Sequence, residues 1–131
     1  MKFSKIITAT LLSVSIVSAS DVMKESMKIM ENGVKQVQLG FINNNEAIIR
    51  DGLVLIEKGN MMFSDEKTIK KYLPDNKEHT VNTALLASTR IGLDINIIEG
   101  NLDEKAYTKA ADGYSDMLNA CSSCHGIIRS W

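Results

Sequence analysis

Apolar residues along the first part of the chain fall at Met23, Met27, Met30, Val34, Val37 and Phe41. Steps of four, three, four, three and four trace one narrow stripe, which predicts a helix from Asp21 to about Phe41. Lys24, Glu25, Lys28, Glu31, Lys35 and Gln38 take its other faces. Asn43-Asn44-Asn45 then reads as a loop or cap, because short amides compete for backbone hydrogen bonds. A second helix is expected from about Glu46 to Glu57, carrying Ile48, Ile49, Leu53, Leu55 and Ile56, with Gly59-Asn60 as its end signal. Gly52 weakens it, since glycine is a poor helix former.

The stretch 60–79 is the least regular. Ser64 is placed to cap a short helix through Lys71, with Ile69 and Tyr72 turned inward, and Leu73-Pro74-Asp75-Asn76 breaks it. A third long helix is expected from about Lys77 to Ile98, with Val81, Leu85, Ser88, Ile91, Ile95 and Ile98 on one stripe and Glu99-Gly100-Asn101 ending it. Asp103 then serves as N-cap of the last helix, on which Ala106, Ala110, Tyr114, Met117, Cys121 and Cys124 recur at helical spacing. Four long amphipathic segments on short connections favour an all-α fold, an antiparallel up-down-up-down four-helix bundle. Alternating direction brings the end of the last helix to the same end of the bundle as the start of the first.

At that end lies Cys121-Ser122-Ser123-Cys124-His125. C-x-x-C-H is the spacing for covalent haem attachment: each thiol adds to one porphyrin vinyl group, and the adjoining histidine reaches the iron as proximal ligand. On a helix the three side chains share one face. A structural disulfide, a two-cysteine redox motif and half of a zinc site compete with this reading. A zinc site usually needs four ligands, and beyond the motif the chain offers only the distant His79. A thioredoxin-like motif belongs near a βαβ pattern, and no such pattern is present. The spacing therefore favours one haem c per chain.

The N-terminus adds a compartment. Lys2 and Lys5 precede an uncharged, mostly apolar run from Ile6 to Val17, and Ser18-Ala19-Ser20 offers small residues for cleavage before Asp21. This is the layout of a secretory signal over residues 1–20, too short for a span of roughly 20 residues, with an uncleaved anchor as the competing reading. The expected mature chain is a single domain over 21–131, exported to the periplasm, with no membrane span after cleavage. The whole chain has 15 basic and 16 acidic residues, a net charge of −1; without Lys2 and Lys5 the balance is 13 against 16, or −3. A mildly acidic body lacks the basic patch of a nucleic-acid binder.

An exported four-helix chain with its haem motif on the last helix resembles cytochrome c′ and its low-spin relatives, the class II c-type cytochromes. The resemblance covers the mature chain in layout and rests on Cys121 to His125 followed by Ile127-Ile128-Arg129. Arg129 stands where the family commonly has a basic residue, and it is a candidate partner for a haem propionate; Ile128 replaces an aromatic. The resemblance implies that one residue of the first helix covers the sixth coordination site. In this chain Met27 is the candidate distal ligand, with Met30 and Met23 as substitutes; Met23 also departs from the arginine often found there. Flexible core filling is the competing role of such a methionine stripe.

With His125 and a methionine on the iron, the chain is expected to carry single electrons between redox partner proteins and not to be an enzyme. The alternative is a five-coordinate cytochrome c′ binding NO or CO. Peroxidase-like chemistry ranks last, because His79 sits among Lys77, Glu78 and Thr80 and reads as a surface residue. Tyr107 and Tyr114 are candidates for packing on the porphyrin or in the core. Lys24 and Lys28 are further propionate candidates, and Trp131 a candidate cover for the haem edge or the bundle end. Family members of this layout are often dimers through the first two helices, whereas the narrow stripe gives no clear second apolar face. Monomer and homodimer both stay open.

Overall fold

The structure, a computed structural model, describes residues 19–128. Its elements are α1 (Ala19–Ile42), α2 (Glu46–Asn60), α3 (Glu66–Tyr72), α4 (Val81–Asp103) and α5 (Tyr107–Ile128), with short 3-10 turns at Met61–Phe63 and Asp75–Thr80. Among the described residues there is no strand, so the all-α expectation holds.

The three asparagines between α1 and α2 divide the work. Asn44 takes a left-handed conformation (φ 52°), which lets the Asn45 N–H donate to Gly40 O at 2.8 Å and the Asn44 N–H to Phe41 O at 3.3 Å. This pair of bonds closes the orphan carbonyls of α1 as a Schellman motif. The Asn45 side chain then accepts from the Ile48 N–H and caps α2.

α1 and α2 run antiparallel in close backbone contact. Ser26 Oγ donates to Gly59 O at 2.8 Å, and a Cβ on Gly33 would stand 2.6 Å from Gly52 O. The glycine that weakens α2 as an isolated helix is thus what lets the two backbones meet. The residues α1 buries most fully include Ser26, Gly33, Val37 and Gly40, while the methionines lie beside this seam, half-buried.

Four boundaries depart from expectation. Asp65, not Ser64, caps α3, its side chain accepting from the Thr68 N–H at 2.9 Å. The third long helix begins at Val81, because Pro74 O accepts from the Lys77 N–H at 2.7 Å and Lys77 O from the Thr80 hydroxyl at 2.6 Å, winding residues 75–80 more tightly. That helix does not stop at Glu99-Gly100-Asn101; it continues to Asp103, since another turn buries Leu102 directly after Ile98. Asp103 is consequently not the N-cap of α5. It ends α4 and accepts from Arg50 Nη2 of α2 at 2.7 Å. A second Schellman motif, with Lys105 left-handed (φ 58°), makes the reversal into α5.

α4 and α5 are antiparallel, with Ile98 against Gly113 and Arg90 near Asp116. Asn60 of α2 donates to Ser88 O of α4 at 2.9 Å, and Tyr114 of α5 donates to Val34 O of α1 at 3.1 Å. The start of α1 and the end of α5 therefore lie together. The core has two parts. Val37, Leu53, Ile56, Ile98, Leu102 and Met117 belong to the central cluster, and Ile69, Leu73, Val81 and Ala84 form a second one packed against Met23, Met27, Met30, Cys124 and Ile128.

Candidate functional site

α5 winds through the whole C-x-x-C-H motif, so Cys121, Cys124 and His125 project from one helical face into a common cavity. The cavity measures about 390 Å³, within the range of small-molecule sites. Met23, Met27, Met30 and Val34 of α1 form the facing wall. Ala84, Ala87 and Ser88 of α4, at helical i, i+3, i+4 spacing, form another wall and leave room because they are small. Ile69 and Leu73, from α3 and its end, complete the lining beside Met23 and Met27.

The six motif and methionine positions that sequence reasoning selected are therefore brought together. The short helix α3 and the inward turn of Ile69 are as the sequence implies; that Ile69 and Leu73 wall the same cavity is not legible there. The small residues of α4 were the available signal for the space itself.

Neither cysteine is in a disulfide. Burial pushes the Cys121 thiol above its ordinary value, with further contributions from Cys124 and Asp94. An apolar cavity with two unbridged thiols, an imidazole and soft thioethers on its walls is a donor set that fits a haem c held through Cys121, Cys124 and His125. Among the described residues, no group of three or more His, Cys, Asp and Glu side chains forms that could hold a metal ion.

The other described candidates fall outside the cavity lining. Lys24 and Lys28 are exposed, and His79 is exposed on the 75–80 turn, as its polar neighbours imply. Tyr107 is at the far end, donating to Glu46 Oε2 at 3.2 Å. Tyr114 packs on Phe41 with ring centroids 5.9 Å apart, and burial raises its pKa; its role is in the core. Arg129, Trp131 and residues 1–18 of the expected signal lie outside the described residues. No described helix is long and apolar enough to cross a membrane. Compared with family models, with curated proteins and with solved structures, the chain matches none.

Proposed function

We propose that this chain is a c-type cytochrome of the class II kind, an exported electron carrier with one haem c. The observation that carries the reading is the convergence of Cys121, Cys124 and His125 with three methionines on one apolar cavity. In this reading α1, α2, α4 and α5 are the up-down-up-down four-helix bundle, and α3 closes the cavity from the side of the long connection.

When bound, the haem supplies reversible one-electron chemistry at its iron. Cys121 and Cys124 would tether it, and His125 would give its imidazole to the iron. A methionine of α1 would supply a second, soft donor to the iron, which would favour the reduced state. Met27 is the first choice. Met30 lines the cavity as well, but its Cγ lies 2.5 Å from where a Cβ on Gly59 would stand, so that its stem is held against the α1–α2 seam. The apolar walls exclude water, and helices packed on three sides hold the ligands still, which limits reorganisation on electron uptake. Arg129 is proposed as a propionate partner, redox proteins as the exchange partners, and the periplasm as the compartment.

The reading is tested with mature protein made alongside a haem-attachment system. Wild type is expected to keep its haem through acid–acetone extraction, and the Cys121→Ala, Cys124→Ala double variant to lose it. A wild type that releases its haem, or never carries any, overturns the assignment. Spectra of the oxidised and reduced forms, with carbon monoxide added to the latter, then separate the two functions. A low-spin spectrum with little CO uptake supports the electron carrier. A high-spin spectrum with ready CO binding replaces it with a binder of diatomic gases.

A further inference from the structure

Asp94 is a carboxylate in an apolar interior. It stands on α4 with 1% of its surface exposed, three residues after Ile91, which lines the cavity, and so about one turn beneath it. Ile91, Ile95, Ile98 and Met117 belong to the central cluster at this level, and Cys121 packs against that cluster. Both Asp94 oxygens accept from Arg90 Nε, at 3.0 and 3.1 Å. The Arg90 side chain is 53% exposed and also reaches Asp116 Oδ2 on α5 at 3.5 Å. The anion is thus inside, while its countercharge is in water and shared with a second carboxylate.

Solvent screens the guanidinium far more than the buried carboxylate, so the two charges do not cancel toward the interior. A net negative field is left on the protein side, where Cys121 lies. The elevated Cys121 thiol pKa has Asp94 among its causes, after burial and Cys124. Stability does not account for the arrangement, because a buried ion pair is commonly no better than apolar packing of the same size.

We propose that Asp94 is a potential-setting residue, a buried negative charge that favours the oxidised form of a haem held through Cys121 and His125. This rests on the haem reading above. Reduction adds one electron to the site, and a nearby anion opposes that addition, so Asp94 lowers the midpoint potential. Arg90 moderates the effect from the surface.

The test is potentiometric titration of the haem-loaded full chain. Asp94→Asn and Asp94→Leu both remove the charge, and both are expected to shift the midpoint upward. Asp116→Asn removes a carboxylate on the same arginine in solvent, and a much smaller shift is expected. An unchanged or lowered potential in the Asp94 variants overturns the proposal, as does an equal shift in Asp116→Asn. A second measurement needs no haem: the rate of Cys121 alkylation by iodoacetamide in a haem-free Cys124→Ala chain. With Cys124 removed, Asp94 and Tyr114 are among the titratable groups that still act on that thiol. Adding Asp94→Asn is expected to speed alkylation near neutral pH, and an unchanged rate counts against the field. Faster alkylation in a chain that never retains haem would overturn the haem reading, and the potential-setting role with it, while leaving the effect on the thiol standing.

Discussion

At the scale of single residues, the site depends on which methionine is free to turn. Met27 lies seven residues before Val34, on the helical face that meets α5, and both line the cavity. Met30, three residues on, is about 60° around the helix from Met27; it lines the cavity too, but its Cγ stands against Gly59. In haem-loaded protein, Met27→Ala is expected to turn a low-spin spectrum high-spin and to open rapid CO binding. Met30→Ala should leave both unchanged. Optical spectra and CO mixing read the difference, and the opposite pattern would transfer the ligand role to Met30.

At the scale of elements, the closest fit is the glycine seam between α1 and α2. A side chain at Gly52 would meet three α1 atoms at once, Gly33 O and Val37 N at 2.7 Å and Val37 Cγ2 at 2.8 Å. Two of the three are backbone and cannot swing aside as a flexible side chain does. Although alanine is the better helix former, Gly52→Ala is expected to destabilise the fold, by about 1–3 kcal/mol as for other overpacked sites. A urea melt measures it. The separation of α1 from α2 that relieves the clash also moves the methionine wall of the cavity. Spectral disturbance should therefore accompany the loss of stability.

Across the whole molecule, the end remote from the cavity is tied by charge. Glu46 accepts from Lys105 at 2.9 Å, from Arg50 at 2.8 Å and from Tyr107, joining α2 to the α4–α5 reversal. Hydrogen bonds from Lys105 and then Arg50 hold its carboxyl down at about 2, against an ordinary 4.5. A depressed folded-state pKa stabilises above the unfolded value and loses that contribution as pH falls through the folded one. Wild type should therefore melt above Glu46→Gln at pH 7. The gap should stay constant down to about pH 5 and close between 4.5 and 2. Because the network is partly exposed, salt should narrow the gap as well. A gap that persists at pH 2 would mean that packing, not charge, ties this end.

What the sequence by itself determined follows from local rules. The methionine stripe, the four long helical segments and the C-x-x-C-H spacing are all periodicities of one helix, legible without a neighbour. Alternation of direction then sufficed to bring Met27 and Cys121 to the same end. Tertiary structure decided the rest, because it turns on what lies across a contact. Gly52 is a defect in α2 alone and becomes a requirement only once α1 approaches. Gly100 reads as a stop until Leu102 has a core to enter, and Asp103 reads as a cap until Arg50 claims it. Asp94 is one more polar residue on α4 in the sequence. Only packing against α5 makes it a buried charge beside Cys121.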